Sequence, residues 1–300
     1  MKKLLISAVA LMASLGMSAQ LLTINSMEKV ALPEGLYVNV PTMSPDGTFV
    51  VVSDVASDGL TQVMLDGTPA KAIAASASGY DVRISQDGSQ VVYRQSTVGK
   101  DNLRYTSLRS VSLLNGKEVE IVKPSRRLNA GIALAGNTVT AVENGRARVR
   151  KLDGGSAQAS AVVSINYGHL DYTKDGKTVT LDPQGRGSYL WPQLSPDGTK
   201  VVYYLAGRGC FVCNVDGSNP VALGMLRAAK WLNNEIVVGM NDVDDGESVQ
   251  TSSVIASNLA GVRQVLTTDA VIAMYPTASA DGHRLAFATP QGELFIMNLK

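Results

Sequence analysis

The chain has few of the side chains on which most enzymes and metal proteins rely. Its 300 residues include two cysteines and two histidines, and aromatic residues make up 5% of the total. A zinc site built on the cysteines would need two more ligands, which only His169 and His283 could supply as further soft donors. No Gly-x-Ser-x-Gly elbow of a hydrolase nucleophile occurs. Sequence motifs therefore predict no catalytic residue and no obligatory cofactor.

Long hydrophobic runs and a bias in charge are also missing. The 27 basic and 26 acidic residues give a formal net charge of +1, and the two signs are mixed along the chain. This pattern disfavours the basic footprint of a nucleic-acid-binding protein and the basic cluster that recognises anionic lipid. Beyond the N-terminal segment, no stretch reaches the roughly 18 apolar residues of a membrane-spanning helix. We expect neither a nucleic-acid partner nor a transmembrane segment.

The first 19 residues have the pattern of a secretory signal peptide. Lys2 and Lys3 form a positive start, Leu4 to Leu15 an apolar core, and Ser18-Ala19 a small-residue cleavage site. The apolar core is too short to span a membrane. The sequence therefore predicts an exported, soluble protein that works in the periplasm or outside the cell.

The mature chain repeats one turn and the strand that follows it. Ser, Asp and Gly recur at fixed offsets, with Pro at the second turn position in two copies, which presets φ there. The clear copies are Ser44–Gly47, Ser85–Gly88, Ser195–Gly198 and Ser279–Gly282, and the weaker ones Ala135–Asn137 and Trp231–Asn234. Each turn precedes a run of strand-forming residues such as Val201–Tyr204.

The spacing of these turns predicts the fold class. Equivalent positions 47, 88, 136, 198, 234 and 282 recur at intervals of roughly 36–62 residues, the range of propellers and solenoids. Glycine turns every 8 to 12 or so residues and β-branched runs exclude helical repeats. We predict an all-β fold in which residues 20–300 form one six-bladed β-propeller of four-stranded antiparallel blades.

The longest interval, after the third turn, leaves two interpretations open. In one, Ala161–Asn166 is the fourth strand of the third blade, and Leu170–Thr173 with Thr178–Leu181 forms an additional hairpin. In the other, Tyr172–Gly176 opens a seventh, truncated blade.

The last blade requires a strand from elsewhere. Its third strand, Glu293–Leu299, is followed only by Lys300, and proteins avoid leaving such a sheet edge exposed. Leu21–Ile24 and Lys29–Leu32 match no blade of their own. We therefore expect the N-terminal strand to complete the last blade and close the ring.

These turns resemble the TolB-type propeller repeat, also called the WD40-like β-propeller repeat. Its hallmark, P-x-x-S-P-D-G, is matched by Pro41–Gly47, Pro192–Gly198 and Pro276–Gly282. Phe211–Gly217 and Leu294–Leu299 match the third strand of that repeat. The resemblance implies a propeller that contacts partners in the bacterial envelope. The α/β domain that precedes the propeller in TolB and the hydrolase domain of prolyl oligopeptidases have no counterpart, which implies a stand-alone secreted propeller.

The two cysteines form a Cys210-x-x-Cys213 pair inside a predicted strand. Residues three apart on a strand point to opposite faces, roughly 10 Å apart along it, which is beyond the reach of a disulfide. We therefore predict two structural core cysteines.

The best candidates for binding lie where the chain enters the innermost strands. In a propeller these entry loops form one rim of the central channel, and aromatic and polar groups gather there. The candidate rim residues are Asn39, Asp81, Arg126, Arg127, Tyr189, Trp191 and Tyr275. Two interpretations are open: they bind a peptide, glycan or protein loop, or the aromatic groups among them pack between blades.

The most acidic segment is Asn241–Glu247, in a predicted hairpin loop. Asp242, Asp244 and Asp245 are oxygen ligands of the kind that Ca²⁺ prefers, although Val243 breaks the EF-hand spacing. A solvated loop and a Ca²⁺ site are both consistent with this pattern.

The function that the sequence favours is non-enzymatic: a scaffold in the cell envelope, similar to TolB, that binds an envelope protein, a peptide or a glycan. The alternative is a glycan-processing lyase or hydrolase with paired carboxylates at the central channel.

Overall fold

Runs of β-branched and aromatic residues between glycine turns form the strands of the molecule. The computed structural model describes residues 20–53, 58–74 and 78–300. In these ranges the regular secondary structure is entirely β, and no helix there has the length and apolar character to cross a bilayer. The predicted signal peptide, residues 1–19, lies outside the described residues.

The described residues form 26 strands, numbered here in chain order. The first thirteen are β1 (Ile24–Lys29), β2 (Val40–Met43), β3 (Phe49–Ser53), β4 (Leu60–Met64), β5 (Lys71–Ala74), β6 (Ser78–Ile84), β7 (Gln90–Val98), β8 (Arg104–Ser112), β9 (Glu118–Ser125), β10 (Leu128–Ala135), β11 (Thr138–Glu143), β12 (Arg146–Lys151) and β13 (Val162–Asn166). The others are β14 (His169–Lys174), β15 (Lys177–Thr180), β16 (Tyr189–Leu194), β17 (Lys200–Leu205), β18 (Gly209–Asn214), β19 (Val221–Gly224), β20 (Arg227–Trp231), β21 (Ile236–Asp244), β22 (Val249–Asn258), β23 (Arg263–Val265), β24 (Met274–Ala278), β25 (Arg284–Ala288) and β26 (Leu294–Leu299).

These strands form six antiparallel sheets, which are the blades of the predicted six-bladed β-propeller. Blade 1 is β2-β3-β4-β5, blade 2 is β6-β7-β8-β9, blade 4 is β16-β17-β18-β19, blade 5 is β20-β21-β22-β23, and blade 6 is β24-β25-β26-β1. In each of these blades the first strand named is the innermost one, beside the central channel. The predicted all-β fold is confirmed.

Blade 3 departs from the predicted four-stranded plan. Its six strands lie in the order β12-β11-β10-β13-β14-β15. The two halves are joined by one backbone pair, Ala130 with Ile165, and by a side-chain hydrogen bond from Asn129 to Ser164. The segment expected as the outer, fourth strand of this blade forms β13 and is instead an inner strand. Its residues Val162 and Val163 line the central cavity. The reason is composition: β12 reads RARVRK and suits an exposed edge, whereas β13 is apolar. The expected extra hairpin is β14 with β15, hydrogen-bonded into the same blade rather than forming a seventh.

The N-terminal strand closes the ring, as predicted. β1 pairs antiparallel with β26, with Met27 opposite Met297. The side chain of Gln264 in blade 5 accepts hydrogen bonds from the N–H groups of Leu21 and Leu22, at 2.6 and 2.8 Å. Leu22 is buried in the apolar layer between blades 5 and 6.

Apolar layers between neighbouring blades form the core. Along β17, Val201, Tyr203 and Leu205 pack towards blade 3, while Val202 and Tyr204 pack towards blade 5. This alternation follows from the twofold period of a strand. Because each blade is covered on both faces, its central strands are apolar almost throughout.

The two cysteines belong to these layers, as predicted. Cys210 packs towards blade 5 and Cys213 towards blade 3, and both are free and buried. Burial raises the pKa of each thiol to about 12, so neither is a reactive thiolate near neutral pH.

The repeated turns lie together at one end of the channel, which we call the turn face. In each clear copy the buried serine hydroxyl donates to the aspartate and accepts from the backbone N–H that begins the next strand. For Ser195, the bond to Asp197 is 2.5 Å and the bond from the Lys200 N–H is 3.0 Å. The same pair of bonds occurs at Ser44, Ser85 and Ser279.

Neighbouring turns also contact each other across the blades. The N–H of Ala280 donates to the Pro45 carbonyl at 2.8 Å, and the Arg284 guanidinium donates to the Gly47 carbonyl at 2.8 Å. Between blades 4 and 5, the Asp197 N–H donates to the side chain of Asn234 at 3.0 Å. The repeated residues therefore connect the blades.

Candidate functional site

The opposite end of the channel, which we call the entrance face, is where the chain enters the innermost strands. Four of these strands carry a bulge there, each with a non-glycine residue in the left-handed region. The four residues are Asp81, Trp191, Ala228 and Tyr275, with φ of 52°, 49°, 49° and 52°. In each case the register with the second strand of the blade shifts across that residue.

This conformation is unfavourable for residues with a Cβ atom, by about 1–2 kcal/mol each. Asp tolerates it better than most residues, whereas for a bulky aromatic such as Trp191 it is uncommon. A bulge changes the direction in which a side chain points and is frequent beside functional sites. Three of the four residues are among those that the sequence placed at this rim.

Trp191 is the centre of a cluster that is open to solvent. Its side chain is 41% exposed, and its ring packs against Tyr204 with 5.5 Å between centroids. The Arg227 guanidinium lies over the indole, 5.9 Å from its centroid, within the range of a cation–π contact. The guanidinium also donates to Asp242 at 2.6 Å and to Asp244 at 3.4 Å.

Asp81 is at the rim but is occupied by structural contacts. Its carboxylate lies 3.0 Å from the Arg83 guanidinium and 3.8 Å from that of Arg94. It also accepts a 3.1 Å hydrogen bond from the N–H of Gly131 in blade 3. Asp81 therefore ties blades 2 and 3 together at the channel.

The rim assignment is wrong for Tyr189, which is fully buried. Its hydroxyl donates to the Gly185 carbonyl at 2.8 Å and accepts from the Gln184 N–H at 3.1 Å. Its ring packs against Tyr203, with 5.5 Å between centroids. The residue begins β16, where the strand is already covered by neighbouring blades, so packing between blades accounts for it.

The other candidate rim residues have varied surroundings. Tyr275 is half-buried, and its N–H faces the Met240 sulfur at 3.4 Å. Asn39 is half-buried beside β2, with its backbone N–H bonded to the Ser53 carbonyl at 2.9 Å.

Arg126 and Arg127 are exposed, and Arg127 donates to the Asn144 side chain at 3.0 Å. Only the two arginines and Trp191 present exposed side chains.

The acidic loop is organised around a cation that the chain itself supplies. The side chain of Asp242 is only 1% exposed and, like Asp244, accepts from Arg227. Asp245 instead accepts from the N–H groups of Glu247 and Ser248 in its own turn. Within the described ranges, no group of three or more His, Cys, Asp or Glu residues could hold a metal ion. The Ca²⁺ hypothesis stays a prediction.

Exposed apolar side chains are more frequent on the entrance face. In its loops these are Tyr37, Leu103, Tyr167 and Met225, and in strands near this end Val98, Trp191 and Val243; the turn face has Leu114 and Val262 in its loops and Ile24 and Val221 at strand ends. Tyr167, at 89% the most exposed of all, is in the tight turn between β13 and β14. A surface with several exposed apolar groups is a candidate for contact with another molecule.

The channel itself holds a cavity of about 540 Å³ that extends from mid-strand to the turn face. Its apolar lining includes Val82, Ile132 and Val162. Arg83 of β6 and Lys230 of β20 supply its basic groups, and Asp197 lies at its turn-face end. The glycan-processing hypothesis calls for paired carboxylates at the channel; Asp197 is bonded to its own turn and Asp81 to two arginines, and that hypothesis stays a prediction.

Sequence reasoning found the bulge positions but missed the basic pair in the channel. The four-residue offset from the turn serine identified Asp81, Trp191 and Tyr275 without revealing their backbone conformation. Arg83 and Lys230 carry a signal in the sequence: each is a long cation flanked on both sides by apolar residues in an innermost strand, where a charged group is rarely buried without a partner.

Comparisons with known proteins support the fold alone. A chain in the crystal structure of the mitotic checkpoint complex aligns with a TM-score of 0.61 over 99% of this chain and 98% of that one, at 12% identity. Matches number 888 among solved chains, so the architecture is too widespread to indicate a function. No family model matches the sequence, and neither does any curated protein.

Proposed function

We propose that this protein is a non-enzymatic binding scaffold that holds a protein partner on the entrance face of its propeller. The observation that carries the proposal is the distribution of exposed apolar side chains, which are more frequent on this face than on the turn face and include Trp191. The propeller would act as a rigid support, with most of the affinity supplied by a few aromatic anchors.

The surroundings of Trp191 support its role as an anchor. The tilted contact with Tyr204 and the guanidinium of Arg227 hold the indole in place, so little side-chain entropy is lost when a partner covers it. Tryptophan, tyrosine and arginine are also the residues most enriched at the energetic centres of interfaces. Tyr167, from blade 3, would extend the same surface.

Two further parts of the proposal rest on the sequence. The signal-peptide pattern of residues 1–19 supports export to the periplasm or beyond. The likeness of the turns to the TolB-type repeat supports a partner in the cell envelope. The role proposed is therefore similar to that of TolB.

The proposal is tested by affinity capture from native envelope extract. The bait variant combines Tyr167→Asn, Trp191→Ala and Met225→Ala; asparagine suits the left-handed backbone at 167, where φ is 49°. The matched control is Leu114→Ala, which removes a side chain that is 83% exposed on the turn face. All baits are first shown to have equal thermal stability.

The expected result is a partner retained by the wild type and by Leu114→Ala but lost by the triple variant. Loss of anchors of this kind weakens binding by about 30-fold or more, which titration of the identified partner would measure. Identical partners for all three baits would place the interface elsewhere and overturn the proposal.

A further inference from the structure

The channel contains two cations that the entrance face does not use. Arg83 and Lys230 both line the central cavity, although they come from blades 2 and 5, which lie opposite each other in the ring. Their charges act on one another, since Arg83 is among the groups that lower the pKa of Lys230. Because both residues border the same cavity, two cations meet there.

Positive charge exceeds negative charge around this cavity. Asp81 is shared between Arg83, at 3.0 Å, and Arg94, at 3.8 Å, and Asp197 is bonded within its own turn. Among the described residues, no hydrogen bond or ion pair to the Lys230 ammonium is found. Lys230 is half-buried, and partial loss of contact with water without a partner disfavours its charged form, which an anion in the cavity would relieve.

The titration of Lys230 fits this description. Burial is the main cause that lowers the pKa of the Lys230 amine to about 8, and the positive charge of Arg83 contributes to this lowering. The Asp81 carboxylate acts in the opposite direction and raises the pKa. At neutral pH the amine is mostly protonated, although it has lost much of its hydration. A negatively charged ligand beside the Lys230 ammonium would therefore stabilise its charged form.

We propose that the central cavity binds a small oxyanion, a carboxylate or a phosphate, between Lys230 and Arg83. The volume of about 540 Å³ is within the range of small-molecule sites. Thr42 and Thr277 also line the cavity; Thr277 accepts from the Met43 N–H at 3.1 Å, and its hydroxyl hydrogen is available to a ligand. The site opens towards the turn face, so it is independent of the partner proposed for the other end.

The test measures anion binding to the purified protein by calorimetry and by the midpoint of thermal unfolding. Sulfate, phosphate and acetate are the probes, each compared with sodium chloride at equal ionic strength. The variants are Lys230→Gln and Arg83→Gln, and the control is Lys174→Gln, which removes an exposed lysine at the end of β14. Lys230→Met is added as an apolar variant, because replacing a half-buried charge that has no partner should not impair folding.

We expect the oxyanion probes to bind and to raise the midpoint for the wild type and for Lys174→Gln. Affinity should fall at least about tenfold in Lys230→Gln and Lys230→Met. A preference for sulfate and phosphate over acetate would identify phosphate as the natural group, and the reverse a carboxylate. Equal effects of chloride, no binding, or unchanged affinity in the Lys230 variants would overturn the proposal.

Dependence on pH provides a second readout, with sulfate as the probe because it does not titrate in this range. The charged groups that face Lys230 are Arg83 and Asp81 on β6, with Arg94 behind them, and Asp197 on the turn after β16. Since Lys230 loses its charge as the pH rises through about 8, wild-type affinity for sulfate should fall between pH 7 and 9.5. In Lys230→Gln that fall should be absent; an equal fall in both proteins would contradict the role of Lys230.

Discussion

The two faces of this propeller are built in opposite ways from the same repeats. On the turn face, Ser195 and Asp197 make the same hydrogen bonds as their counterparts in blades 1, 2 and 6. On the entrance face the loops differ in length, and the hairpins β7–β8 and β21–β22 extend well beyond the others. The apolar groups that reach solvent from loops also lie mainly there.

This difference shows that the recurring and the non-recurring residues of a repeat fold have different roles. The residues that recur at fixed offsets bond to their own turn and to the neighbouring turn, so they determine the shape of the ring. The residues that do not recur, such as Trp191 and Tyr167, project from that ring into solvent. In this chain the repeated residues thus connect the blades, and the departures from the repeat supply exposed groups on the entrance face.

The largest expected effect comes from opening the ring on which both faces depend. Deleting residues 20–33 removes β1, exposes the edge of β26 and leaves a gap where Leu22 packs. Loss of one buried leucine alone costs about 2–5 kcal/mol. We expect the free energy of unfolding in urea to fall by at least about 4 kcal/mol, with tryptophan fluorescence and circular dichroism changing together.

The control for this deletion is Lys29→Ala, in the same strand. It removes the exposed ion pair with Glu293, whose atoms are 2.6 Å apart, and such pairs contribute about 0–1 kcal/mol. A deletion no more harmful than this substitution would mean that β1 does not close the ring.

A smaller effect should follow from breaking one repeated turn. Ser195→Ala leaves the Lys200 N–H without its acceptor and Asp197 without its donor, and a buried group left unpaired costs about 1–3 kcal/mol. Ser218→Ala is the matched control, because it removes a similar bond to Asp216 from an exposed turn and should change stability by less than about 0.5 kcal/mol. Urea unfolding of both variants decides the matter, and equal losses would show that burial of the serine is irrelevant.

Most of the fold could be predicted from the sequence because the repeated residues act locally, within their own turn or strand. The Ser-x-Asp-Gly offset determines a turn, and alternating apolar residues determine which side of a strand is buried. The arrangement of β13 was not predictable in the same way, because β10 and β13 meet through long-range contacts, the backbone pair of Ala130 with Ile165 and the hydrogen bond from Asn129 to Ser164. Local patterns contain no information about which of two strand edges such a segment will join.

The candidate site was predicted less completely, for related reasons. The offset from the turn serine located Trp191 and Tyr275, but the bulge that orients them depends on pairing with the second strand. Tyr189, only two residues before Trp191, is fully buried, and composition could not separate the two. The meeting of Arg83 with Lys230 requires the closed ring, since the residues are 147 positions apart (230 minus 83).

Acid should weaken the turn face in a defined direction. Hydrogen bonds from Ser85, Ser195 and Ser279 are the main causes that lower the pKa values of Asp87, Asp197 and Asp281 below 3.8. A carboxyl group with a lowered folded pKa contributes stability above its unfolded value, and that contribution is lost as the pH falls through the folded pKa. We expect the urea midpoint to decline below about pH 4, and Asp197→Asn to show a shallower decline. Equal slopes would contradict this role.

The smallest expected effect concerns the backbone of the entrance face, and its sign is the informative part. Ala228 has a φ of 49°, so Ala228→Gly should relieve the strain of a left-handed residue and change stability by between zero and about +1 kcal/mol. Ala229→Gly, one position along the same strand and also buried, should instead destabilise by about 0.5–1 kcal/mol, as glycine does in an ordinary strand. Urea unfolding of the two variants provides the comparison. Equal destabilisation would mean that the bulge is not strained, and that the directions of Trp191 and Tyr275 need another explanation.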